Sequence, residues 1–181
     1  MKKMFAVFVC TLISLQFLIA QVSVASLLTE NLPNPLSIDV ATPRLSWQLA
    51  SSKRNVLQAA YECKVMNGKN TVWSSGKVQS SQSVMIPYAG SALQSGKQYT
   101  WQVKVWDNYG AASAWSNAAN FKMGLLNASD WKAKWIEAGF AEDSINRPAQ
   151  YFRKSFSLTK KIKTATAYIT AHGMYEAQIN G

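Results

Sequence analysis

Hydrophobic and polar residues alternate one for one along much of the chain. From Tyr99 to Val105, the apolar side chains of Tyr99, Trp101, Val103 and Val105 are interleaved with Thr100, Gln102 and Lys104. This is the two-residue period of a strand with one buried and one wet face. Leu45-Ser46-Trp47-Gln48-Leu49 repeats the pattern, and shorter strands are predicted at Tyr61–Met66, Thr71–Trp73, Ser83–Ile86 and Ala118–Met123. Turn formers separate them at Ser74-Ser75-Gly76, Pro87 and Asp107-Asn108-Tyr109-Gly110. No segment before Gly124 has the three-to-four-residue apolar spacing of an amphipathic helix. Short strands separated by turns predict an all-β sandwich.

Leu93, Gly96 and Tyr99, spaced three apart, resemble the tyrosine corner of immunoglobulin-like sandwiches, in which the Tyr hydroxyl bonds back to upstream backbone. Together with the strands carrying Trp47 and Tyr61, they make residues 36–124 resemble a fibronectin type III domain. Adhesins, receptors and enzyme linkers all use that fold, so it does not fix a function.

The character shifts at Gly124. Gly124-Leu125-Leu126-Asn127-Ala128-Ser129-Asp130 reads as a connector. Strands are expected at Trp131–Ile136, Tyr151–Leu158, Thr164–Ala171 and Met174–Ile179, with a polar loop over Ala141–Pro148. Residues 125–181 are thus expected to be the first strands of a second, incomplete β-sandwich. Asn180-Gly181 is a strong hairpin signal with no returning strand, which leads us to expect the front end of a longer protein.

At the amino terminus, Lys2 and Lys3 precede an apolar run from Met4 to Ala20, and Ser23-Val24-Ala25 supplies small residues for cleavage. The expectation is a signal peptide over residues 1–25, a mature chain starting near Ser26, a punctuated lead-in over 26–35, and a secreted or periplasmic protein. The rival reading is an uncleaved membrane anchor, because the run approaches the length of a span. Thr11, Ser14 and Gln16 interrupt it, which favours cleavage. Cys10 follows Val7-Phe8-Val9 without the small residue expected before a lipidated cysteine. Cys63 is then alone in the mature chain, so no intramolecular disulfide forms.

Nineteen Lys and Arg against nine Asp and Glu give a formal charge of +10. The lysines are dispersed, the densest group being Lys160-Lys161-x-Lys163, and no nucleic-acid motif accompanies them. Nucleic acid is therefore not an expected partner. The field favours anionic partners such as acidic polysaccharides or membrane surfaces.

Glycoside hydrolysis normally needs two carboxyl groups flanking the bond. The acids Glu30, Asp39, Glu62, Asp107, Asp130, Glu137, Glu142, Asp143 and Glu176 are scattered, and the adjacent pair Glu142-Asp143 reads as solvated loop. His172 is the only histidine, and a single imidazole does not make a closed metal site. Cys63, on the apolar face of Tyr61–Val65, reads as a small hydrophobe. No catalytic, cofactor-binding or metal residue is assigned, and no cofactor is expected. Among the seven tryptophans, Trp47 and Trp101 fall on the apolar phase of their strands and read as core. Trp106 follows Val105 directly, which puts its ring on the opposite face or at a bulge; Trp115 lies in a loop. Rings at such places suit interdomain packing, with sugar stacking as the second reading.

A longer series of motifs occurs in one order. It comprises Leu36-x-Ile38-Asp39, Pro43-Arg44-Leu45-Ser46-Trp47, Gln58-x-Ala60-Tyr61, Trp73-x-Ser75-Gly76-Lys77-Val78 and Tyr99-x-Trp101-x-Val103-x-Val105-Trp106-Asp107-x-x-Gly110. Ala114-Trp115-Ser116, Phe121-x-x-Gly124-Leu125-Leu126, Asp130-Trp131-x-Ala133-x-Trp135-Ile136, Phe152-Arg153-Lys154-x-Phe156 and Gly173-x-Tyr175-x-x-x-Ile179-Asn180-Gly181 follow. The series resembles the amino-terminal part of bacterial α-L-rhamnosidases of glycoside hydrolase family 78. That resemblance implies a secreted enzyme releasing terminal L-rhamnose with inversion, its catalytic carboxylates in an (α/α)6 barrel further along the chain. The partners it implies are that carboxy-terminal catalytic domain and rhamnose-containing glycosides or polysaccharides. It also implies that the second sandwich, of which the Tyr175 and Asn180 region is the part present, carries a rhamnose and calcium site in some relatives. The stretch read here would be a noncatalytic scaffold. The alternative is an extracellular carbohydrate-binding or adhesion protein built on the same modules.

Overall fold

The computed structural model describes residues 22–141, 143, 145, 146 and 148–180. The chain divides into two units, one ending at Ala133 and the other beginning at Lys134. The apolar run from Met4 to Ala20 lies outside the described residues.

The described residues of the first unit form eight strands: β1 Ser23–Thr29, β2 Arg44–Ala50, β3 Gln58–Asn67, β4 Asn70–Ser74, β5 Val78–Gln79, β6 Ile86–Pro87, β7 Gln98–Asp107 and β8 Ala119–Lys122. They form a three-stranded sheet in the order β1-β2-β6 and a five-stranded sheet in the order β4-β3-β7-β8, with β5 also paired to β3. Every ladder is antiparallel. This is the immunoglobulin-like sandwich that the alternation predicts.

The inner faces meet in one core. Leu45 and Trp47 of β2 pack with Cys63 and Val65 of β3, Trp101, Val103 and Val105 of β7, and Phe121 of β8. Two indoles enter this core with their polar atoms satisfied, as burial of an N–H demands. Trp47 Nε1 donates to Gln58 Oε1 at 2.9 Å, and Trp101 Nε1 donates to Thr29 Oγ1 at 3.1 Å.

Two features of the register correct the sequence reading. Val22, only 3% exposed, belongs to the core, and β1 pairs with β2 from Ser23↔Ala50 onward. The sandwich therefore begins well before residue 36 and takes in residues assigned above to the leader and the lead-in. The strand expected over Ser83–Ile86 shrinks to Ile86–Pro87, because Met85 sits at φ 58°, in the left-handed region that an extended ladder excludes. Ser83 nonetheless accepts a bond from Trp47 N–H at 2.8 Å.

In the second unit the described side chains are nearly all exposed, and no β-ladder forms among the described residues. None of the segments Trp131–Ile136, Tyr151–Leu158, Thr164–Ala171 and Met174–Ile179 is hydrogen-bonded as a strand. Alternation prepares a face, but a strand also needs a neighbour, and none is paired with these segments among the described residues.

Candidate functional site

β7 is paired with β3 on one edge and with β8 on the other. Its entry is the tyrosine corner: Tyr99 Oη accepts the backbone N–H of Gln94 at 3.0 Å, while its ring stacks on Phe121 with centroids 5.5 Å apart. Gly96, at φ 70°, turns the corner, and its N–H points at the carbonyls of Met123 and Gly124 at 3.1 and 3.0 Å. The loop that positions Tyr99 therefore also holds the end of the last strand.

The next residue outward extends that hold. Ser95 Oγ donates to Asp130 Oδ2 at 2.5 Å and accepts from Leu126 N–H at 2.9 Å. Asp130 Oδ2 also accepts the N–H of Asn127 at 3.0 Å, closing a short 3-10 turn over Ala128–Asp130. These bonds, led by that from Ser95, hold the Asp130 carboxyl below the ordinary aspartate range. On the other side, Gly124 N–H donates to Ile38 O at 2.7 Å. Residues 124–130 are thus tied to the sandwich at Gly124, Leu126 and Asp130, the bonds to the Asp130 carboxylate being charge-assisted.

At its far end β7 is closed differently. Among the described residues the edge of β7 beyond β8 meets no further strand, only an isolated bridge of Trp106 with Ala112. Ser113 and Ser116 take its place: their N–H groups donate to Val105 O and Val103 O, and their hydroxyls accept from the N–H groups of the same two residues. Asp107, buried, accepts from Tyr109 N–H at 3.0 Å and Ala111 N–H at 2.9 Å, so this carboxylate is a turn former.

The outer face of the five-stranded sheet carries the two tryptophans that sequence left open. Trp106 lies on that face, and the bulge sits on the partner strand, where the register shifts between Gln58 and Ala60. Lys77 Nζ lies 4.5 Å and Lys104 Nζ 5.1 Å from the Trp106 ring centroid. Lys64 Nζ lies 4.1 Å from that of Trp115. The rings thus interact with this domain's own ammonium groups, each contact worth about 0.5–1 kcal/mol at an exposed site. Sequence reasoning missed these lysines. The signal was available for Lys104, which stands two residues before Trp106 on one strand face.

The other side chains weighed for chemistry are dispersed. Cys63 is 0% exposed, and burial first, then the neighbouring Glu62, pushes its thiol up to about 12, so it acts as a small hydrophobe. Glu30 is ion-paired with Arg44, whose hydrogen bond holds its carboxyl below the ordinary range. In the second unit, His172 stacks on Trp135 with centroids 4.0 Å apart. Asp143 accepts from Ile145 N–H within its own loop, which lowers its pKa; Glu142, its expected companion, lies outside the described residues. Tyr175 Oη donates to Ile169 O at 3.5 Å. Asn180 has φ 63°, as a turn requires, while Gly181 is outside the described residues. No cluster of three or more His, Cys, Asp or Glu suited to a metal ion occurs among the described residues.

With this geometry in view, residues 24–127 match the family model described as the Rha78A-like, N-terminal immunoglobulin domain. The chain belongs to that family. Its Rha78A-like immunoglobulin domain is the sandwich described above; the match begins within β1 and ends at Asn127, in the connector. Among curated relatives, an α-L-rhamnosidase of Formosa agariphila is 41% identical over 167 residues, covering 85% of this chain and 18% of the relative. One of Streptomyces avermitilis is 36% identical over 177 residues, covering 84% and 17% respectively. The crystal structure of a Streptomyces avermitilis α-L-rhamnosidase complexed with L-rhamnose superposes with a TM-score of 0.62 at 43% identity, over 65% of this chain and 12% of that one. The match thus spans less than a fifth of the length of these curated relatives.

Proposed function

We propose that this chain is the noncatalytic amino-terminal portion of a secreted α-L-rhamnosidase, serving as a scaffold for a catalytic domain that follows it. The observation that carries the reading is the coverage: 41% identity extends over most of this chain yet reaches only 18% of an α-L-rhamnosidase. The bonds that tie Gly124, Leu126 and Asp130 to the sandwich support a structural role for this stretch. The rhamnoside substrate and the carboxylates that act on it belong, on this reading, to the following domain. Residues from Lys134 onward are the opening part of a second sandwich whose remaining strands complete the ladders.

Two finer points belong to the same reading. The sheet order β1-β2-β6 and β4-β3-β7-β8 supports a fibronectin type III arrangement within the immunoglobulin-like class. Lys2, Lys3 and the apolar run to Ala20 support export through a cleaved leader. Reading the coding sequence past Gly181 tests the proposal. It predicts an open frame encoding further β-strands and then a helical barrel with inward carboxylates. A stop codon, or sandwiches without a barrel, would overturn it.

A further inference from the structure

We infer that the leader is removed between Ala20 and Gln21, so that Val22 and the whole of β1 stay in the mature protein. This rests on the reading that the chain is exported. Signal peptidase acts while the chain is being translocated, so whatever it removes is absent from the fold that follows. A cut in the small-residue stretch Ser23-Val24-Ala25, after Ala25, would take away Val22, which is 3% exposed in the core. It would also remove the first three residues of β1.

Those residues are part of the ladder. Ser23 is paired with Ala50 and Val24 with Leu49, and Ser23 Oγ donates to Ala50 O at 3.2 Å. Val24 packs against the core cluster. Only Leu27, Leu28 and Thr29 would still face Trp47, Ser46 and Leu45, and the Leu49–Ala50 end of β2 would become an open edge. The family match, independently, already begins at residue 24.

A site that spares β1 has to lie before Val22. Ala20 ends the apolar run and is the nearest small residue upstream of Val22; it supplies the small residue needed just before the cut, with Leu18 at the other position of the A-x-A-like site. Cleavage there makes Gln21 the first residue and leaves every β1 partner in place.

The test is to express the full chain from Met1 in an exporting bacterial host and to measure the intact mass and amino-terminal peptide of the exported protein. The expected product begins at Gln21, as glutamine or as its cyclised form. A product beginning at Ser26, or at any other residue, overturns the assignment while leaving export standing. A product retaining Met1 overturns both. As a second arm, chains starting at Gln21 and at Ser26 are unfolded in urea. The inference predicts a lower midpoint for the Ser26 chain, and equal midpoints would contradict it.

Discussion

The indole N–H of Trp101, on β7, donates to the hydroxyl of Thr29, on β1, at 3.1 Å, joining the two sheets inside the core. Both residues are fully buried, so neither polar atom has water as a substitute. Replacing Thr29 with Val keeps the shape and removes the acceptor. An unsatisfied buried donor costs about 1–3 kcal/mol. Thr29→Val is expected to lower the urea midpoint with an unchanged m-value; an unchanged midpoint would show that the bond contributes nothing.

The tyrosine corner gives a second stability prediction. In Tyr99→Phe the ring keeps its stack on Phe121, while Gln94 N–H loses its acceptor. A loss of about 1 kcal/mol is expected, read again from the urea midpoint.

How much of this was legible beforehand varies with the range of the interaction. β7 and β2 were evident because strict alternation marks strands whose two faces differ, and the corner was evident because its residues are local. β1 escaped because a register shift between Val24 and Leu27 breaks its period, directly after the apolar run that ends at Ala20. β5, at two residues, is too short to carry a pattern. The Ser95–Asp130 tie joins residues 35 apart and leaves no periodic trace. Beyond Lys134, alternation forecast strands from faces alone, and pairing requires partners that periodicity does not supply.

That tie makes the connector sensitive to acid. The Asp130 carboxyl is held below its ordinary pKa, chiefly by Ser95. A depressed pKa in the folded state means that the contribution is present above the ordinary aspartate range. It is lost as pH falls through the lower folded value. Carboxyl titration by NMR should therefore place Asp130 below an ordinary aspartate, and Ser95→Ala should raise it. No movement on substitution would remove Ser95 as the cause.

Cys63 titrates in the opposite sense. Its thiol, raised to about 12 by burial, stays protonated in the fold where an unfolded chain would ionise. Stability should therefore fall as pH rises from the ordinary thiol range toward 12, because the unfolded state then binds fewer protons. In native protein at mildly alkaline pH, a thiol reagent should leave Cys63 unmodified and react only after urea unfolding. Rapid native labelling would contradict the burial.

On the proposed function, this domain supports chemistry performed elsewhere in a longer chain. Rhamnose release from an aryl α-L-rhamnoside, in preparations free of host glycosidases, tests this when measured for this chain and for the product of the longer reading frame that the proposal predicts. Release by the longer product and none by residues 21–181 alone are expected. Release by this chain on its own would contradict it.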